Sequence, residues 1–311
     1  MKTTFRPYQS ENDFWNMRAF LRKIFVLNDY TQRSWHVARL EYARWHTCLN
    51  CAGVDLKEVA FLWEDDNELV AFLMPDGGRG EAHLCVHPQL RTAALEEEML
   101  AVAEENLHST DDEGLKKLFV WSPADNLQRQ EMFTRHGYTK DDWPEHQWRR
   151  KLDTEITPVP VAPGYTIRSL GDGLELLERC YASGLGFHEG DFQVAAENRA
   201  DPTWYRNIQT APSYRRDLDL VAVTSDGEIA AFATIWFDDV TRSAYFEPVA
   251  TVPVHRKRGL GKALLTEGLR RLQRMGALYA FVGGYSPAAN ALYCSVMGDD
   301  CILDEPWTKK W

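Results

Sequence analysis

From Val59 onward the chain alternates between short apolar runs and clusters of turn residues. Val59-Ala-Phe-Leu-Trp63 and Leu69-Val-Ala-Phe-Leu-Met74 are strand-length runs separated by Asp65-Asp66-Asn67, a pattern that predicts a β-hairpin. Ala82–Val86 reads as the next strand, Ala94–Leu107 as a helix, Leu118–Trp121 as a strand and Arg129–His136 as a second helix. The same order then returns. Leu218–Val223, a turn at Ser225-Asp226-Gly227 and Ile229–Trp236 predict a hairpin, followed by a strand over Ala244–Val252. Leu260, Leu264, Leu269, Leu272 and Met275 fall on one face of a helix predicted over Gly259–Met275, with Gly276 as its stop. Tyr279–Val282 is then a strand and Ala288–Val296 a short final helix. Each half opens with helical, aromatic-rich sequence, Phe14–Arg44 and Leu174–Tyr205.

Aligning Pro88 with Pro253 brings Arg91 onto Arg256, and the halves end alike, in Gln147-Trp148-Arg149-Arg150 and Pro306-Trp307-Thr308-Lys309. Agreement over so many elements predicts one α+β fold occurring twice. Between the copies lies Thr157-Pro-Val-Pro-Val-Ala-Pro-Gly164, extended by its prolines. The expected organisation is therefore a first domain over 1–156, a linker over 157–164 and a second domain over 165–311.

Composition narrows the partners. A net charge of −11 argues against nucleic acid, whose phosphates require a basic face. No apolar run reaches the ~20 residues of a membrane span, and Met1–Pro7 has no signal-peptide core, so a cytoplasmic protein is expected. Six cysteines in 311 residues then read as thiols. Cys48-x-x-Cys51, with His46 nearby, has no second ligand pair for zinc, and His83, His87 and His188 lack metal-ligand spacing, so no metal is expected.

The stretch richest in chemistry is Val249-Ala-Thr-Val-Pro-Val-His-Arg256-Lys257-Arg258-Gly259-Leu260-Gly261-Lys262. A strand ends, and a basic turn with two glycines opens a helix. Glycines admit close backbone approach, the first-turn N–H groups lack partners, and the helix dipole favours an anion; arginines there oppose the dipole unless an anion is bound. A diphosphate suits such a site.

Arg256-x-x-Gly259-x-Gly261 in this strand–turn–helix setting resembles the pyrophosphate motif of the GNAT N-acetyltransferases, and the resemblance covers the second half. It implies two tandem GNAT-like domains, each a mixed twisted sheet flanked by helices, with acetyl-CoA as co-substrate and an amine as acceptor. The implied CoA-binding residues are Val249, Ala250 and Thr251 on a strand that splays from its neighbour, Arg256, Lys257, Arg258, Gly259, Leu260, Gly261 and Lys262 in the loop, and Ser286, where the family has Asn. Tyr293 matches the tyrosine of the family's second signature, which protonates the departing thiolate. Met297-Gly298 stands where Gly-Phe is expected. The resemblance also points to an acid on the splayed strand as general base; Glu247 is the candidate, on the face of Tyr245, Val249 and Thr251 if alternation holds, though a strand-edge Glu before a proline has a structural reading too. The alternatives are a CoA-binding regulator without turnover, which the departures around Tyr293 support, and a protein-interaction partner whose first half docks another protein.

The first half reads differently. Arg91-Thr-Ala-Ala94-Leu-Glu96 replaces both glycines and loses two of the three cations, and Phe133 replaces the tyrosine while Asn126 and Gly137-Tyr138 are kept. A carboxylate at Glu96, in the first helical turn, is expected to repel phosphate, so no CoA is expected there. Trp35, Tyr42 and Trp45 lie near one helical face, as a core stripe or a platform for a cationic amine.

Overall fold

The structure, a computed structural model, describes residues 3–311. Its contacts gather into two compact units, Met1–Gln147 with Cys301–Trp311, and Trp148–Asp300.

The first unit runs β1 (Thr4–Pro7), α1 (Glu11–Leu27), α2 (Val37–Tyr42), a π-helical stretch (Ala43–Ala52), α3 (Leu56–Val59), β2 (Phe61–Asp65), β3 (Glu68–Met74) and β4 (Glu81–Val86). It continues with α4 (Ala93–Asn106), β5 (Ser109–Thr110), β6 (Lys116–Pro123), α5 (Leu127–Arg135), β7 (Thr139–Lys140) and β8 (Glu145–Lys151), within which the boundary falls. Strands β1 to β4 are antiparallel neighbours, β4 and β6 are parallel, and β14 (Cys301–Lys310) closes the order antiparallel to β6. Alternate residues enter two cores. Phe61, Trp63, Ala71, Leu73 and Leu84 pack with Met99, Leu100 and Phe133 from α4 and α5, whereas Leu62, Phe72, Met74 and Cys85 pack with Phe14, Phe20 and Ile24 from α1. Burial on both faces explains why these strands read as continuous apolar runs. Trp35 is core; Tyr42 and Trp45 are half-buried.

The second unit contains β9 (Tyr165–Ser169), α6 (Glu175–Phe187), α7 (Phe192–Ala200), α8 (Thr203–Gln209), β10 (Asp219–Thr224), β11 (Ile229–Asp238), β12 (Ser243–Thr251), α9 (Leu260–Arg274), β13 (Tyr279–Gly284) and α10 (Pro287–Met297). The sheet order is β9-β10-β11-β12-β13, antiparallel except for the parallel pair β12–β13. Gly186 on α6 lies against Phe232 and Ala250, and Gly268 on α9 against Ile235 and Phe246, so the two helices cover opposite faces.

These units cut the chain differently from the halves read in the sequence. The final strand, β14, belongs to the first unit, and the Trp148–Lys151 end of β8 belongs to the second, where it runs beside β13 and Leu152 N–H donates to Leu278 O at 2.8 Å. Two similar terminal strands can exchange places because each offers the same edge pattern; periodicity says nothing about which sheet a strand joins. The helical openings are also broken: the first at Asn28 and again into the π-helix, the second into three helices.

Candidate functional site

The second unit's site begins where β12 leaves its neighbour. β12 pairs with β13 only at Ser243, Ala244 and Tyr245, although β13 runs on to Gly284. Beyond that point Val249, Ala250 and Thr251 pair with β11 and not with β13, and these three and Glu247 are half-buried. The register against β11 shifts here, with Ile235 opposite Phe246 but Ala233 opposite Val249. Two residues therefore stand opposite one, a bulge at Glu247-Pro248 that reverses the alternation. Val249 and Thr251 lie on the α9 face with Phe246, not with Tyr245 as strict alternation predicts. The bulge was invisible to a period-two reading.

The loop after β12 turns left-handed twice, at Lys257 (φ 63°) and Gly259 (φ 76°), with Arg258 between them. Such reversals turn successive N–H groups into one concavity. Gly259 caps α9 without a side chain, a Cβ there would meet nothing within 4 Å, and the first bond into the helix is Ala263 N–H to Gly259 O at 3.0 Å. The N–H groups ahead of it have no carbonyl of the helix behind them. Lys257, Arg258, Gly259 and Lys262 are exposed, while the Leu260 side chain is in the core and leaves only its backbone at the loop.

Two expected roles change. Gly261 was read as giving a ligand close approach to the backbone, but a Cβ there would sit 2.9 Å from Leu292 Cδ2; its absence lets α9 approach α10. Arg256 does not stand free in the loop. Its guanidinium holds Glu189 at 2.7 Å and donates to Thr251 O at 3.2 Å and Gly186 O at 3.3 Å, bracing the strand end against the end of α6. Arg256 in turn holds the exposed Glu189 carboxyl below its usual pKa.

Ser286 caps α10, its Oγ accepting from Ala289 N–H at 3.1 Å, as Asn126 caps α5 in the first unit. Tyr293 on α10 is 6% exposed; burial, and then the charge of Glu247, push its phenol well above the ordinary value. Tyr293 and Glu247, 46 positions apart in sequence, are thus brought within electrostatic reach of each other. Two neighbours were missed. A Cβ on Gly284 would sit 2.9 Å from Tyr293 Cδ2 and 2.5 Å from Asn290 Oδ1, and that oxygen accepts from Trp148 Nε1–H at 3.0 Å. Gly283-Gly284 at the end of a strand was the available signal. Replacing Gly284 by Ala is expected to overpack this contact and cost about 1–3 kcal/mol, read as a lower denaturant midpoint at unchanged m; an unaltered midpoint would show that the contact relaxes freely.

The corresponding loop of the first unit is closed. α4 begins at Ala93, so Ala94 is helical where Gly259 is left-handed, and Thr92 Oγ1 accepts the Leu95 N–H at 3.2 Å. Glu96 does not face outward, as its position in the first turn suggested. It is 2% exposed and turns inward to Arg129 at 2.5 Å and Arg91 at 3.1 Å. Burial alone would raise its pKa; the two guanidiniums outweigh that and hold it below its usual value.

All six cysteines are thiols, and burial pushes Cys48 up to about 12, which leaves it a poor nucleophile. Among the described residues no helix is long and apolar enough to cross a membrane.

Comparison with known proteins places this geometry. Residues 174–298 match the acetyltransferase (GNAT) family model. The chain is 28% identical over 217 residues to a mycothiol acetyltransferase of Saccharopolyspora erythraea, a match covering 64% of this chain and 65%, just under two thirds, of that protein. It is 26% identical over 255 residues to a mycothiol acetyltransferase of Paenarthrobacter aurescens, covering 77% of this chain and 74% of the other. Among solved structures, a GCN5-related N-acetyltransferase from Sphaerobacter thermophilus aligns with a TM-score of 0.63 at 18% identity, covering 99% of this chain and 95% of that one. A tandem GNAT protein from the clavulanic acid biosynthesis pathway aligns with a TM-score of 0.65 at 14% identity, covering 99% and 98%. Residues 174–298 are thus similar to the GNAT family, and the whole chain has the fold of these GCN5-related and tandem GNAT proteins.

Proposed function

We propose that the second unit transfers the acetyl group of acetyl-CoA to the amine of a small acceptor, and that the first unit binds no CoA. The observation that carries this reading is the junction of β12 and α9: a strand free of β13 beyond Tyr245 leads into a doubly left-handed, cationic turn at a helix start. The diphosphate would lie on the N–H groups from Arg258 to Lys262, with Lys257, Arg258 and Lys262 adding charge. Arg256 would act by fixing the loop. Val249, Ala250 and Thr251 would hold the pantetheine arm by their backbone, and Ser286 would set the start of α10. Bound there, acetyl-CoA supplies an activated acyl thioester.

The protein's part is proton traffic. Glu247 would accept the proton of the incoming ammonium, directly or through water, and the Tyr293 hydroxyl would donate to the departing sulfur. Tyr293 keeps its proton throughout the physiological range because its pKa is raised. A phenol so raised is a weaker acid than free tyrosine, but a thiolate in the same dry site is more basic for the same reason. When Glu247 takes up the amine's proton, its charge no longer opposes ionisation of Tyr293, so the first transfer favours the second.

The closed loop around Glu96 and Arg129 supports a single CoA site. Calorimetric titration with acetyl-CoA is expected to give one equivalent per chain; two equal sites, or binding that survives disruption of the 256–261 loop, would overturn the assignment. The shared name of the two relatives makes the acceptor of mycothiol acetyltransferase the first amine to assay.

A further inference from the structure

The first unit contains a buried polar cavity that no element of the proposed chemistry uses. It opens where β4 and β6, parallel at Glu81–Phe119 and Ala82–Val120, part company, and its volume is about 20 Å³. That is room for one water or one group of similar size. Its lining includes Gln32, Trp35, His83, Trp121, Gln147 and Asp304.

Three of these side chains carry buried polar atoms without a partner among the described residues. Gln32 (4% exposed) lacks one for both Oε1 and Nε2, Gln147 (4%) for Oε1, and Asp304 (8%) for Oδ1; Arg129, 2% exposed at the same cavity, lacks one for Nε. Native interiors leave few such atoms, so several converging on one small cavity call for an occupant. Two indoles wall the same space, Trp35 at 4.6 Å and Trp121 at 5.5 Å from the His83 ring, measured between centroids.

The surrounding charge says which kind. Trp35 Nε1–H donates to His83 Nδ1 at 3.0 Å, so Nδ1 is unprotonated, and Nε2 must be the nitrogen that donates to Glu81 at 2.8 Å. His83 is therefore neutral. Asp304 is the carboxyl that lines the cavity, and Asp76, Glu81, Glu96, Asp125 and Glu145 stand around it; the guanidiniums are Arg33 on Asp125, Arg39, paired with Glu145 at 2.7 Å, and Arg91 and Arg129, both on Glu96. Six acids stand against four bases. Burial pushes Asp304 up to about 7 and raises Asp76, so the cluster relieves its excess charge by holding protons. A bound cation would relieve it in place.

We propose that this cavity binds a compact ammonium group, either the free ammonium ion or the head of an unhindered primary amine. Its N–H groups would donate to Asp304 Oδ1, Gln147 Oε1 and Gln32 Oε1, with the Trp35 and Trp121 rings beside it. Ionised, Asp304 would also offer an acceptor to the Arg129 Nε. A water molecule would meet the hydrogen bonds but not the charge. The site lies wholly in the first unit and does not rest on the chemistry proposed for the second.

The test uses the full chain in thermal melts at constant ionic strength, with ammonium chloride and methylammonium chloride as probes and sodium chloride and tetramethylammonium chloride as controls. The two probes are expected to raise Tm by about 5 °C at roughly a hundredfold excess over Kd, rising with the logarithm of concentration as one-site linkage requires, while the controls do not. Asp304→Asn, which keeps the shape and removes the charge, is expected to abolish the response. Gln32→Met, which removes two of the unpaired atoms, is expected to weaken binding about tenfold and serves if the first variant does not fold. A response to ammonium alone identifies the free ion, and a response to both admits an amine head. Equal melts in all four salts or a native-like response of Asp304→Asn would overturn the proposal, as would methylammonium-soaked crystals showing only a water where the melts had responded to both probes.

Discussion

Tyr293→Phe is expected to lower turnover by ~10²–10⁴ while leaving acetyl-CoA affinity within about twofold, the signature of a proton donor that acts only as the thiolate departs. The structure sharpens this expectation. The ring is wedged against Gly284, and Phe fills the same volume, so packing and α10 stay in place and only the hydroxyl is lost. Glu247→Gln is the informative partner. Burial still holds the Tyr293 phenol up, but the change removes the added push from the Glu247 charge, so the phenol becomes easier to ionise, and it also removes the proposed base. If the two act in sequence, the double variant loses little beyond the worse single one, because each change already disables the same transfer. A turnover number unaltered in Tyr293→Phe, with chemistry shown to be rate-limiting, would remove Tyr293 from the mechanism.

The hairpins, the crossover helices and the repeat were legible because they rest on periodicity. The strands at Glu68–Met74 and Ile229–Asp238 and the helix at Leu260–Arg274 lie within a few residues of where hydrophobic spacing puts them. What stayed hidden depends on pairing between distant segments. Nothing local in Cys301–Lys310 assigns it to the first unit, since its alternating pattern suits either sheet edge. The bulge at Glu247-Pro248 is set by β11 across the sheet, and it moved Val249 and Thr251 to the other face.

At the site, the sequence shows which residue types are present but not what each one packs or pairs with. Gly259 is left-handed, as a cradle requires, but Gly261 answers to Leu292 on the neighbouring helix. Arg256 and Glu96 were read as charges facing a ligand; each is tied up by a partner far off in sequence, Glu189 and Arg129. Charge content is visible in a sequence, whereas which charges have already neutralised each other is a tertiary fact.

Gly259→Asp is expected to lower the affinity for acetyl-CoA and free CoA by ~10²–10³ while the apo protein loses only about 1 kcal/mol of stability. The position suits the test because its Cβ would point into open space and not toward Leu292, as a Cβ at Gly261 would. Aspartate accepts a left-handed backbone better than most residues, which keeps the strain at φ 76° small. Its charge would face a diphosphate in a partly desolvated turn, where like charges cost several kcal/mol against about 1 kcal/mol in water. Gly259→Asn separates the two effects, since it brings the same Cβ and the same backbone strain without the charge. It is expected to lose roughly tenfold, and the further loss in the aspartate variant reads the electrostatics alone. Pantetheine, which lacks the diphosphate, should bind all three proteins alike. The measurement is a set of calorimetric titrations with the three ligands beside melts of the apo proteins. Full CoA affinity in a folded Gly259→Asp protein would mean that the turn between β12 and α9 holds no phosphate, and the assignment of the second unit as the CoA site would go with it.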